Sequence, residues 1–133
     1  MIKEQITYSE YSILLDELVE KIKNGLDLSK IKFIYTFMRG GLPIGVHLSH
    51  FLNLPVYTNE SNIDFTTISY KTVLVVDDIA DTGDTLFGFS RLWPTATLFY
   101  KTRSIVKPTF YVKETTNWIV FPWEKDDEVM NRW

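Results

Sequence analysis

The residues best suited by type and spacing to do chemistry lie in one run, Val73-Leu74-Val75-Val76-Asp77-Asp78-Ile79-Ala80-Asp81-Thr82-Gly83-Asp84-Thr85. Its first four residues predict a strand buried on both faces. Two adjacent acids follow, then a turn that opens into a helix. Ligands of open α/β sheets sit just beyond the carboxyl ends of the strands. A helix N-terminus offers free amides and partial positive charge, which suits a phosphate. Thr82 and Thr85 add hydroxyls, and Gly83 permits a close backbone approach. Asp77 and Asp78, on opposite sides of the strand end, can accept from ribose hydroxyls or hold magnesium through oxygen. A phosphate site beside a diol or cation site describes a phosphorylated sugar with Mg²⁺.

Plainer readings compete. Adjacent aspartates after a strand also serve as caps and turns, and they occur in the acidic pocket of response-regulator receiver domains. There the acid pair follows the first strand, whereas here two or three strands and a helix precede it and only 55 residues follow Asp78. The glycines at Gly40 and Gly45 have the spacing of a nucleotide-binding phosphate loop, but Val46-His47 stands where Lys-Ser/Thr is needed. His47 and His50 fall on the helix after that loop and read as surface or partly buried residues.

The rest of the chain must position this run. Its 133 residues are 45% hydrophobic, 15% aromatic and 23% charged, which fits one globular domain over 1–133 and is too apolar for disorder. The absence of cysteine excludes a disulfide framework and a thiolate zinc site. With 14 Lys+Arg against 17 Asp+Glu and a net charge of −3, the chain is not a nucleic-acid polycation. No apolar run approaches the roughly 20 residues of a membrane span. The start, Met1-Ile2-Lys3-Glu4-Gln5, lacks the apolar core of a signal peptide. The expectation is a cytoplasmic domain with neither nucleic acid nor membrane as partner.

Local charge says more than the total. Lys30, Lys32 and Arg39 occur without an acid between Leu28 and Asn59, and four aspartates without a base between Asp77 and Asp84. Lys101, Arg103, Lys107 and Lys113 form a second basic block, and Glu124 to Glu128 is acidic apart from Lys125. Brought together, these blocks would oppose acids and bases around an anionic ligand carrying a cation.

Thr7-Tyr8-Ser9-Glu10 is a capping-box pattern, followed by Tyr11, Leu14, Leu15, Leu18, Val19 and Ile22 on one helical face, with Gly25 as the stop. Strands are predicted over 31–38, 55–58, 72–76, 95–100 and 110–112, with a weaker edge strand over 65–69. Helices are predicted over 43–52, opened by Pro43, and over 85–92. Alternating strands and helices give an α/β domain with a mostly parallel twisted sheet flanked by helices. The C-terminal segment is unusually aromatic, with Trp118, Phe121, Trp123 and Trp133.

The run from Val73 to Thr85 resembles the 5-phosphoribosyl 1-pyrophosphate (PRPP) motif of type I phosphoribosyltransferases, with Ala80 where a larger aliphatic residue is usual. Arg39-Gly40-Gly41-Leu42 resembles the family's pyrophosphate loop, and Phe99-Tyr100-Lys101 its strand-end lysine. Trp118-Ile119 with Pro122-Trp123 resembles the hood of the xanthine-guanine-like purine branch, which implies a small C-terminal hood over about 114–133. The resemblance implies that Asp77 and Asp78 contact the ribose hydroxyls, with Asp78 also in the Mg²⁺ shell. It implies that Asp81, Thr82, Gly83, Asp84 and Thr85 cradle the 5′-phosphate, and that Asp81 is the catalytic proton acceptor near the base. Arg39 and Gly40 would bind pyrophosphate. Lys101 would donate to the oxygen of a 6-oxopurine, Trp118 would stack on the ring and Ile119 would contact its exocyclic group.

The implied function is transfer of phosphoribose from PRPP to guanine, xanthine or hypoxanthine, by a homo-oligomer. The alternatives are a non-catalytic PRPP- or nucleotide-binding regulatory module, and transfer to another base. The family also carries a long flexible loop before the PRPP strand, with a Ser-Tyr pair. Here only Asn59 to Lys71 fill that interval, and Ser69-Tyr70 lies against the strand, so the sequence predicts that this segment does not close the site.

Overall fold

A computed structural model describes residues 2–125. Asp126 to Glu128 and Trp133, expected in the acidic block and the hood, lie outside the described residues. In chain order the elements are β1 (Lys3–Gln5), α1 (Tyr8–Gly25), β2 (Phe33–Thr36), α2 (Leu42–Leu52), β3 (Val56–Thr58), β4 (Val73–Val76) and β5 (Ile79–Ala80). There follow α3 (Asp84–Phe87), β6 (Thr95–Ala96), β7 (Phe99–Tyr100), β8 (Lys113–Glu114) and β9 (Trp118–Val120). Among the described residues no helix is long and apolar enough to cross a membrane.

The capping box forms at the start of α1. Glu10 N donates to Thr7 Oγ1 and Thr7 N donates to Glu10 Oε1, each at 3.1 Å. These bonds hold the Glu10 carboxyl below its usual range. Tyr11, Leu15, Leu18, Val19 and Ile22 are the buried stripe, and Leu26 beyond Gly25 is already extended.

Four strands pair in the order β3-β2-β4-β6, all parallel. Side chains alternate across this sheet. Ile34, Leu74 and Val76 join α1 and α2 in one apolar cluster, while Phe33, Tyr35, Val73 and Val75 enter a second on the other face. Both faces are covered, which is why β4 reads as a continuous apolar run. Full burial of each such Val or Leu contributes about 1.5–3 kcal/mol, an upper value because unfolded chains are partly compact. The α/β class and the parallel sheet expected from the sequence are therefore present.

Several element boundaries differ from expectation. Residues 95–100 do not form one strand: β6 pairs with β4, whereas β7 pairs with β5 and β8 in a separate three-stranded parallel sheet. The hydroxyl of Thr97 donates to Phe99 O at 2.8 Å at the break. The segment predicted over 110–112 contributes one bridge, Phe110 to Ala96, and its strand lies later, at β8. The edge strand expected over 65–69 is a 3₁₀ turn, Phe65–Thr67, because the Asp64 side chain accepts from Thr66 N at 3.0 Å and folds the backbone. The predicted 85–92 helix is only four residues long. Finally, β9, in the segment expected to form the hood, pairs with the unforeseen β1, so the amino terminus supports residues 118–120.

Candidate active site

The register between β2 and β4 ends at Thr36 opposite Val76. The next residues of both strands therefore emerge side by side at one end of the sheet. Thr36 Oγ1, fully buried, donates to Val76 O at 2.8 Å and ties the two ends together. Asp78 N donates to Asp77 Oδ1 at 2.9 Å, and Ile79 N donates to Asp78 Oδ1 at 2.8 Å. The Met38–Arg39 peptide is cis, and Met38 N donates to Asn59 Oδ1 at 2.8 Å.

The glycines after Arg39 have a visible cause. A Cβ on Gly41 would lie 2.5 Å from Thr36 Oγ1 and 3.0 Å from Asp77 Oδ1, and one on Gly40 would lie 2.9 Å from Asp78 Oδ2. The loop thus seats directly on the acid pair. Burial, followed by repulsion from Asp78, raises the Asp77 carboxyl well above its ordinary range; burial also raises that of Asp78. Two carboxyls that resist ionising together call for a cation or a hydrogen-bonding ligand.

The far wall is built from three segments. Asp81 follows β5, Lys101 follows β7, and Trp118 begins β9. Lys101 Nζ lies 3.4 Å from Asp81 Oδ1 and 5.9 Å from the Trp118 ring centroid. Arg103 Nε donates to the same Asp81 oxygen at 2.9 Å, and its Nη2 also bonds that oxygen. Gly83 has φ +89°, which L side chains rarely adopt, and a Cβ there would lie 2.5 Å from Ser104 Oγ and 2.8 Å from Val106 N. Its missing side chain therefore serves packing against 104–106 as well as the turn that opens α3. Ile105 N donates to Thr82 O at 2.8 Å and locks the two loops.

Between these walls lies a cavity of about 320 Å³. Of the residues singled out in the sequence, Arg39, Gly40, Asp77, Asp78, Asp81, Thr85, Lys101, Trp118 and Ile119 line it. Thr82, Gly83 and Asp84 do not; they form the turn beside Thr85. Phe121 and Glu124 also line the cavity and were not foreseen as site residues. Glu124 accepts from Phe121 N at 2.8 Å, and burial raises its carboxyl despite that bond and the nearby Arg39. Its position at the head of the acidic tail was the available signal, as the second basic block was for Arg103. His47 lies away from the cavity, with Nδ1 2.5 Å from the hydroxyl of buried Tyr11.

None of residues 59–71 lines the cavity. Ile63, Phe65 and Ile68 pack into the second apolar cluster. Trp93 Nε1 donates to Ser69 O at 3.0 Å and Lys71 N to Leu92 O at 2.9 Å. Asn59 N donates to Thr36 O at 3.2 Å at the other end. The segment is fastened at both ends and in its middle.

No protein-family model matches the chain, and no curated protein matches its sequence. Solved structures do. The chain is 30% identical to a purine phosphoribosyltransferase from Pyrococcus horikoshii, with 94% of this chain and 95% of that one covered at a TM-score of 0.74. A xanthine-guanine-hypoxanthine phosphoribosyltransferase from Helicobacter pylori is 26% identical, with 96% of each chain covered at a TM-score of 0.78. An orotate phosphoribosyltransferase from Aeropyrum pernix is 24% identical over 80% of this chain and 71% of that one, with a TM-score of 0.60, and shares the fold. A match of this identity over nearly the whole chain agrees with the strand-end acids, the glycine loop and Trp118 on one cavity: the chain belongs to the type I phosphoribosyltransferase family and is a phosphoribosyltransferase.

Proposed function

We propose that the chain transfers 5-phosphoribose from PRPP to a 6-oxopurine, giving the nucleoside monophosphate and pyrophosphate. The observation that carries this reading is the convergence of Arg39, Asp77, Asp78, Asp81, Lys101 and Trp118 on one cavity. In the reaction the bond from C1 to pyrophosphate breaks, a bond from a ring nitrogen to C1 forms, and the nitrogen loses a proton. Arg39 and the Gly40 amide bind the departing pyrophosphate, a case of electrostatic preorganisation. Asp77 and Asp78 accept from the ribose hydroxyls, and the turn from Asp81 to Thr85 holds the 5′-phosphate. Asp81 accepts or relays the proton.

The acid pair fits a divalent cation carried on the substrate. Two hard carboxylates in a buried, mutually repelling pair are relieved by a dication. Mg²⁺ takes one or two carboxylates and completes its shell with water and phosphate oxygens. Among the described residues no cluster of three or more His, Cys, Asp or Glu suited to a metal occurs. Asp78 is the residue that would hold the ion. An ion held there would supply positive charge to neutralise the departing pyrophosphate.

Base choice rests on Lys101 and the hood. An ammonium donates and cannot accept, so Lys101 favours a base with an oxygen at position 6 over adenine. Trp118 stacks on the ring and Ile119 contacts its exocyclic group. The purine-specific names among the solved structures support this reading, and the orotate enzyme marks the competing one. The test is pyrophosphate release from PRPP with each of guanine, xanthine, hypoxanthine, adenine, uracil and orotate, with and without Mg²⁺, in wild type and Asp78→Asn. Mg²⁺-dependent turnover of at least one 6-oxopurine, lost in Asp78→Asn, is expected. Turnover of orotate or adenine alone would overturn the base assignment, and bound PRPP without any transfer would make the chain a regulatory module.

A further inference from the structure

Arg103 takes no part in the proposed reaction, yet it bonds Asp81 through two of its nitrogens. Its side chain is 57% exposed, while that of Lys101 is 6% exposed. Both cations address a single atom, Asp81 Oδ1. Arg103 reaches it through Nε and Nη2. Lys101 Nζ stands off at 3.4 Å, longer than the roughly 2.7–2.9 Å of a charge-assisted hydrogen bond. Asp81 is the one carboxylate within 4 Å of Lys101 Nζ among the described residues.

The backbone keeps the three groups in register. Ser104 N donates to Lys101 O at 2.9 Å and Ile105 N to Thr82 O at 2.8 Å, while Gly83 packs against Ser104 and Val106. A buried ammonium beside a single carboxylate would ordinarily close a tight ion pair with it. Here the exposed guanidinium already holds the Asp81 oxygen that faces the ammonium.

We propose that Arg103 is a positioning residue: by claiming Asp81 Oδ1 it keeps Lys101 from closing onto Asp81, so that the ammonium remains available to donate to the carbonyl oxygen of an incoming base. The role rests on the 6-oxopurine reading. Without Arg103, base binding must first break a Lys101–Asp81 pair, whereas the PRPP contacts of Arg39, Asp77 and Asp78 are untouched.

The test compares Arg103→Ala and Arg103→Lys with wild type, each also in a Lys101→Ala background. Arg103→Ala is expected to raise KM for the 6-oxopurine about tenfold, equivalent to about 1.4 kcal/mol, with KM for PRPP unchanged and kcat altered less than the base KM. Arg103→Lys should recover most of the loss. Once Lys101 is alanine, adding Arg103→Ala should change the base KM no further. Ligand-free crystal structures give a readout that needs no base: the Lys101–Asp81 distance should contract from 3.4 Å to about 2.8 Å in Arg103→Ala. An unchanged distance, a rise in KM for PRPP instead of base, or additive effects in the double variant would each overturn the proposal. If wild type turns over no 6-oxopurine, the base assignment fails on that ground, while the distance still decides whether Arg103 restrains Lys101.

Discussion

Replacing Trp118 separates stacking on a ligand from service in the core. The residue is half-buried in β9, pairs across to Lys3 of β1, lines the cavity and carries Lys101 near its ring. Its Nε1 is buried without a hydrogen-bond partner among the described residues. Trp118→Ala removes the aromatic face, and a base–aromatic stack is worth about 1–3 kcal/mol. That corresponds to a loss of about 5- to 150-fold in base affinity. PRPP affinity should hold, because Arg39 and the Asp77–Thr85 turn are intact. Trp118→Phe keeps a ring and discards the orphan N–H, whose unmade bond costs about 1–3 kcal/mol. The smaller ring gives part of that back in lost burial, so stability should stay within about 1 kcal/mol of wild type. The assays are urea unfolding for stability and calorimetric titration with guanine and, separately, PRPP. A Trp118→Ala protein that binds guanine like wild type would refute the stack. A Trp118→Ala chain that fails to fold, with Trp118→Phe losing guanine as completely as it loses stability, would assign the residue to the core.

The buried acid pair carries a pH signature in protein free of Mg²⁺. With both carboxyls raised above the ordinary value of 3.8, the folded state holds more protons than the unfolded one just above that pH, so their contribution to stability falls as pH rises through this window. Asp77→Asn should gain on wild type as pH rises from about 4, measured by urea unfolding; a difference independent of pH would contradict the burial. Gly41→Ala forces a Cβ against Thr36 Oγ1, Asp77 Oδ1 and, at 3.1 Å, Phe37 O. Overpacking and strain on the Thr36–Val76 bond should cost about 2–4 kcal/mol and lower PRPP affinity, and a variant with wild-type stability and binding would show that the loop does not seat on the acids. Because residues 59–71 are fastened away from the cavity, C1 of bound PRPP should stay partly wet, giving measurable pyrophosphate release without base. Tight coupling at every protein concentration would contradict this, and coupling only at high concentration would assign the cover to a second copy.

The sequence carried the site better than the strand boundaries. The Asp77–Asp78 pair was legible because a doubly buried strand is a continuous apolar run, and its end is then marked by the first charge. Helix α1 was legible because its capping box and stripe are both local. Residues 95–100 looked like one strand because burial is continuous there; the jump from β6 to β7 depends on partners that no local pattern encodes. The 65–69 segment has strand composition, but the Asp64 side chain folds it. Glu124 and Arg103 were visible as charges only, since their placement depends on which loops meet. Arg39-Gly40-Gly41 pointed to a close backbone approach, and the acids it approaches were identifiable only once β2 and β4 were in register.

The chemistry proposed at C1 is transfer of phosphoribose to a 6-oxopurine. Its most direct test supplies PRPP and Mg²⁺ together with equimolar guanine, xanthine, hypoxanthine, adenine, uracil and orotate, and identifies the nucleoside monophosphates by mass. One or more 6-oxopurine nucleotides should form in step with pyrophosphate beyond the base-free background, and be lost in Lys101→Ala. Orotidine, uridine or adenosine monophosphate as the main product, or no nucleotide while PRPP remains bound, would contradict it.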